Sequence, residues 1–72
     1  MNVVHDGFPV RLRRLRVQKG KSRVLLSQLC GLSNNSIRRY ERGEAKPNMD
    51  SLIAIADYFQ VSIDYLVGRT NY

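Results

Sequence analysis

With one cysteine in 72 residues, the chain can form no internal disulfide. No Cys/His set has zinc spacing, so neither a metal nor a cofactor is expected. With no disulfide to maintain, a reducing compartment, the cytoplasm, is the expected location. The longest apolar run, Leu52-Ile53-Ala54-Ile55-Ala56, is far too short to span a membrane. The N-terminus lacks the basic-then-apolar pattern of a secretory signal. No Ser/His/Asp set, paired carboxylates or phosphate-cradling glycine loop is present, so no enzyme activity is expected. His5 stands in the N-terminal tail with no partner to make it a base or a ligand. There is no internal repeat, low-complexity tract or linker, and no alternating stretch persists long enough for a strand. An apolar content of 43% argues against disorder. What is left is a single small domain over residues 1–72, ordered over about 8–68, with residues 1–6 and 69–72 loose.

Acidic residues are scarce, and what charge there is lies unevenly. Residues 1–46 hold 11 Lys/Arg and 3 Asp/Glu, a net of +8. Residues 47–72 hold 1 Arg and 3 Asp, a net of −2. A basic half joined to a mildly acidic half suggests one face suited to a polyanion, although a solvated basic surface would give the same count.

The densest pattern lies in residues 20–47. Two short helical segments are joined by Cys30-Gly31-Leu32, and the second opens at Ser33 with small polar side chains and carries two arginines. This is how a helix-turn-helix is written, with its second helix shaped for the DNA major groove. Five helices and no strands are predicted. The first runs from Phe8 to Lys19, with the stripe Phe8, Leu12 and Leu15, Pro9 in its first turn and Gly20 as its stop. The second covers Arg23 to Leu29, capped by Ser22. The third covers Asn34 to Arg42, capped by Ser33, with Gly43 just past its end. The fourth follows Pro47, is capped by Asn48, and has the stripe Leu52, Ile55, Ala56 and Phe59. The last runs between Ser62 and Gly68 with Ile63 and Leu66 inward. The expected core is Phe8, Leu12, Leu15, Leu26, Ile37, Leu52, Ile55, Phe59 and Leu66.

Two stretches carry a resemblance. The run Ser33…Ser36-Ile37…Arg39-Tyr40-Glu41-Arg42-Gly43-Glu44…Lys46-Pro47 resembles the recognition helix and following loop of the lambda-repressor-like Cro/C1 (XRE) family. The ending Val61-Ser62-Ile63-Asp64-Tyr65-Leu66-Val67-Gly68-Arg69-Thr70 is similar to that family's last helix. The resemblance covers about residues 8–70 and implies a compact all-α, five-helix fold. It also implies a sequence-specific, double-stranded DNA-binding transcriptional regulator, a repressor, with helix 34–42 in the major groove. A homodimer on an inverted-repeat operator is the implied assembly, with no membrane partner. An antitoxin or protein-interaction adaptor of the same fold, with weak or non-specific DNA binding, is the alternative.

The resemblance assigns roles by position. Asn34, Asn35, Arg38 and Arg39 fall where the family reads bases; an Asn amide matches adenine N6/N7 and an Arg fork matches guanine O6/N7. Asn34 can instead merely satisfy the helix start, and Arg39 a phosphate. Ser22, Arg23 and Lys46 fall at phosphate contacts, with Arg42 a weaker candidate and Ser36 serving a phosphate, a base or only the helix. Lys21 is a further weak candidate. Arg16 and Glu41 match a partly buried ion pair bracing the first helix against the third. Tyr58, Gln60 and Tyr65 mark the candidate dimer surface, with Tyr72 in the same third of the chain.

The sequence also departs from the family pattern. Arg23 replaces the usual glutamine, and Ser27 the usual alanine, so its hydroxyl needs a backbone carbonyl. Val24, Leu25 and Leu29 make the second helix unusually apolar, a patch for an unknown protein partner if exposed. Cys30 reads as a small buried apolar side chain. Arg11, Arg13 and Arg14 read as a solvated face of the first helix.

Overall fold

The structure is a computed structural model that describes residues 7–71, so the readings of residues 1–6 and 72, His5 and Tyr72 among them, lie outside the described part. Five helices follow in order: α1 (Phe8–Lys19), α2 (Arg23–Leu29), α3 (Ser36–Glu41), α4 (Met49–Phe59) and α5 (Ile63–Leu66). No strand occurs among the described residues.

The boundaries follow local chemistry. Pro9 sits in the first turn of α1, where its missing N–H costs nothing, and Gly20 closes the helix in the left-handed region. Ser22, Asn48 and Ser62 begin α2, α4 and α5, each side chain accepting a backbone N–H three residues on. Gln60 closes α4 at φ 57, and its amide donates back to the Asp57 carbonyl at 2.7 Å.

Helix α3 departs from the expected span 34–42. Asn34 and Asn35 form a turn, Ser36 is the first helical residue, and Arg42 is the C-cap. The expected cap fails because the Ser33 hydroxyl pairs with the Ser36 hydroxyl at 2.8 Å, while the Ser36 N–H bonds to the Ser33 carbonyl. That turn, closed by a bond between residues three apart, tightens the chain before the helix starts.

The core consists of Leu12, Leu26, Ile37, Tyr40, Ile55, Ala56, Phe59 and Leu66. Expected core residues Phe8, Leu15 and Leu52 line its edge, half-buried. Tyr40 is an addition: its ring lies 5.7 Å from that of Phe8, and its hydroxyl bonds to the buried Ser51. Helix α1 packs against α3 and α5, α2 against α3, and α4 against α5.

Arg11 requires a correction, because it is not on a solvated face. It is buried, with its guanidinium 4.5 Å from the Tyr65 ring centroid. It donates to the carbonyls of Tyr65 and Thr70 and to Asn71 Oδ1. Those bonds also tie down Thr70 and Asn71, which were expected to be loose. Arg13 and Arg14 remain exposed.

Candidate nucleic-acid interface

The helix-turn-helix is assembled from small parts. Leu26 of α2 and Ile37 of α3 are both fully buried against each other's side of the motif, with Cys30 and Leu32 packed at the edge. Burial raises the Cys30 thiol pKa above its ordinary value. Gly31 takes φ 72 in the turn, a conformation that glycine adopts without strain. The Leu32 N–H then returns to the Ser27 carbonyl at 2.8 Å.

Ser27 is fully buried where the two helices cross. Its hydroxyl donates to the Arg23 carbonyl at 2.9 Å and accepts the Ile37 N–H at 3.1 Å. The first bond answers the need for a backbone carbonyl stated above. The second was not read from the sequence, because it depends on where α3 lies.

On the outer side, Asn35, Arg38, Arg39 and Arg42 recur at the spacing that places side chains on one helical face. All four are exposed, as is Asn34, whose Oδ1 accepts from Gln28 Nε2 at 3.2 Å. Ser36 is half-buried and held by Ser33. Arg42 lies 3.0 Å from Glu44, with both side chains largely in solvent.

The far end of α3 is clamped. Arg16 donates to both carboxylate oxygens of Glu41, Nε at 2.6 Å and the other guanidinium nitrogen at 3.1 Å, and also to the Lys21 carbonyl. Arg23 approaches the same carboxylate at 3.5 Å with about half its side chain in solvent. Glu41 itself is 4% exposed, so one buried carboxylate ties α1, α2 and α3 together. The Ser22 hydroxyl oxygen accepts the Leu25 N–H at 3.1 Å. Lys46 is exposed in the loop between α3 and α4.

The remaining predicted residues lie at the other end. Tyr58 is half-buried, edge-on to Phe59 at 5.0 Å, and Tyr65 is half-buried beneath Arg11. Gln60 is exposed and lines a cleft of about 320 Å³ with Leu15, Val61, Ser62 and Tyr65. Val24, Leu25 and Leu29 are exposed on α2. No group of acidic, His and Cys side chains suited to a metal occurs among the described residues, and none of their helices is long and apolar enough to cross a membrane.

The helix-turn-helix family model HTH_3 matches residues 12–66, from the middle of α1 to the end of α5. The chain belongs to this family, of the Cro/C1 (XRE) type. It is 39% identical over 59 residues to the transcriptional repressor RstR of cryptic phage CTXphi from Vibrio cholerae, covering 82% of this chain and 53% of RstR. It is 34% identical over 67 residues to repressor protein C2 of Salmonella phage P22, covering 93% of this chain and 30% of C2. The crystal structure of P22 c2 repressor in complex with a synthetic operator matches at a TM-score of 0.79 and 33% identity, over 83% of this chain and 91% of that one. The five-helix architecture is therefore that of the phage-repressor DNA-binding domains. The chain spans about half the length of RstR.

Proposed function

We propose that this chain is a sequence-specific, double-stranded DNA-binding transcriptional regulator that represses by occupying its operator. The observation that carries this reading is the outer face of α3. Asn35, Arg38 and Arg39 stand in solvent, joined by Asn34 from the preceding turn, while the rear of the helix is fixed by Ile37, Tyr40 and Glu41. Amide and guanidinium groups suit bidentate bonding to adenine and guanine edges in the major groove. Ser22, Arg23 and Lys46 flank that face and would grip phosphates; Arg42 and Ser36 are further candidates. The similarity to operator-bound P22 c2 supports the same use of this fold. No catalytic role and no cofactor enter this reading, and the proposed site of action is the cytoplasm, where the DNA is.

One short helix reads only a few base pairs, so the proposal includes a homodimer on an inverted repeat, with half-site centres about 34–36 Å apart. The α4–α5 end, around Tyr58, Gln60 and Tyr65, is the proposed contact, with Gln60 its most accessible member. A second reading, a protein-binding antitoxin or adaptor, is favoured by one observation: Val24, Leu25 and Leu29 are all exposed on a seven-residue helix.

Selection of bound duplexes from a random pool tests the proposal. An enriched site with two-fold symmetry is the expected result. Asn35→Ala or Arg38→Ala should then weaken binding to that site by about 1–3 kcal/mol and relax the preference at one position. Lys46→Ala should weaken all duplexes alike and lower the salt slope by about one unit. A pool that yields no preferred sequence would sink the reading.

A further inference from the structure

We propose that Ser27 is the N-terminal cap of α3, supplied by the other helix of the motif, and that it is a positioning residue for sequence discrimination. The second half of this proposal rests on the reading of α3 as the base-reading helix; the first half does not.

An α-helix leaves its first N–H groups without partners inside the helix, and a cap at its start normally takes one of them. Helix α3 has no local cap. Asn35, at the N-cap position, already has helical backbone angles and makes no side-chain capping bond. The hydroxyl of Ser33 is taken by Ser36. The Ile37 N–H, second in the helix, is accepted instead by Ser27 Oγ at 3.1 Å, from ten residues upstream. That hydroxyl is oriented by its own donation to the Arg23 carbonyl at 2.9 Å, which turns a lone pair toward α3. Both bonds lie where Ser27 is fully buried, so water does not compete for them.

The position of the bond gives it a functional consequence. At six residues α3 is far too short to hold a helical start by itself, so its first turn takes the position its tertiary bonds impose. Asn34 and Asn35 lie immediately before that turn, and Arg38 follows Ile37 directly. The Gln28 amide, next to Ser27 in α2, holds Asn34 as well, but on the exposed side. The other end of α3 is fixed separately, through Glu41 to Arg16 and Arg23. Loosening Ser27 therefore loosens the base-reading end and leaves the clamped end in place. Discrimination between sequences should fall while affinity for arbitrary duplex stays the same.

The test uses the full chain, Ser27→Ala, and Ser27→Cys, which keeps the shape and a weaker acceptor. Amide hydrogen exchange is read at Ile37, with Ile55 in α4 as the reporter of global opening. Binding is read as the ratio of affinities for the selected site and a scrambled duplex, at a temperature where every variant is folded. In Ser27→Ala, exchange at Ile37 should quicken about tenfold beyond any change at Ile55, the scale of one buried hydrogen bond. The affinity ratio should drop by a similar factor, with scrambled-duplex affinity within about twofold of the parent, as expected when phosphate contacts are intact. Ser27→Cys should fall between parent and alanine on both counts, and it carries the comparison if the alanine variant does not fold. Ile37 and Ile55 moving together would overturn the cap. Selective loosening of Ile37 with an unchanged affinity ratio would overturn the positioning role. If the parent itself prefers no sequence, the proposed function fails and the positioning role with it; the exchange measurement then decides the cap alone.

Discussion

Helices α3 and α4 are held in opposite ways. Helix α4 is capped by its own flanking residues: Asn48 Oδ1 accepts the Ser51 N–H at 2.8 Å, Gln60 turns the chain at the other end, and Ile55, Ala56 and Phe59 bury one face, with the Tyr40 hydroxyl bonded to Ser51 from α3. Helix α3 has six residues, no local cap, and bonds from other elements at both ends: Ser27 at its start, Arg16 and Arg23 at Glu41. The difference follows from what each helix must expose. With Asn35, Arg38 and Arg39 left outward, α3 offers mainly Ile37 and Tyr40 to the core. A short helix anchored by two apolar residues needs polar bonds to fix its angle, and those bonds come from neighbours that are themselves fixed. The face proposed to read DNA is thus positioned by bonds made behind and beside it.

The sharpest way to break this comparison is at Glu41. Glu41→Ala strands the Arg16 guanidinium, which is largely buried with only the Lys21 carbonyl left to accept from it. Removing one partner of a buried pair costs about 3–5 kcal/mol. Urea denaturation should show that loss, and Glu41→Gln, which keeps a hydrogen-bonding oxygen, should recover part of it. A loss no larger than that of an exposed pair such as Arg42–Glu44 would mean that α3 is held by packing alone.

Next in size is Arg11, the buried arginine of α1 that binds the C-terminal end. Arg11→Ala removes bonds to two backbone carbonyls and to Asn71, and the stack on Tyr65. Hydrogen bonds from a charged donor put the cost at about 1.5–3 kcal/mol. Arg11→Lys should recover little, because an ammonium cannot reproduce the planar fork. If both variants unfold at the parent's urea midpoint, the C-terminal end is anchored by Leu66 and its apolar neighbours and not by this guanidinium.

What could be read from the sequence divides along the same line. The spans of α1 and α2 and the start of α4 follow from neighbouring residues: Pro9 and Gly20, Ser22, Asn48. The start of α3 does not. Ser33 has the composition of a cap, but its hydroxyl has a nearer partner in Ser36, and the N–H of Ile37 finds its acceptor in another helix. Arg11 and Tyr40 were missed for a related reason. Hydrophobic periodicity assigns an arginine outward, and it cannot anticipate carbonyls arriving from residues 65 and 70. For the candidate interface, the resemblance supplied the positions of Asn34, Asn35, Arg38 and Arg39, and the structure exposes them all. The sequence shows that the Ser27 hydroxyl needs a carbonyl; its bond to α3 is legible only in three dimensions.

A smaller effect tests the locally capped side. Asn48→Ala removes the cap of α4 and should cost about 1 kcal/mol. Hydrogen exchange should rise at Ser51 and its neighbours while Ile37 keeps its parent rate relative to global opening. Faster exchange spreading into α3 would show that the two helices are coupled, and that the contrast between them is only one of degree.

The smallest effect concerns Cys30, at the turn where the two halves of the motif meet. Its thiol is half-buried against the core, and burial holds its pKa above the ordinary 9.0. The native state therefore keeps the thiol proton more tightly than the unfolded chain does. Below the unfolded pKa both states are protonated and stability is unaffected; as pH rises past it, the unfolded state ionises first and stability falls. Tyrosines and lysines titrate in the same range, so the comparison is made against Cys30→Ala, through the pH dependence of the urea midpoint. The parent should lose stability more steeply above about pH 9, where an unfolded thiol ionises. Parallel pH profiles would mean that the thiol meets the same surroundings folded and unfolded, and that the turn is more open to water than its packing indicates.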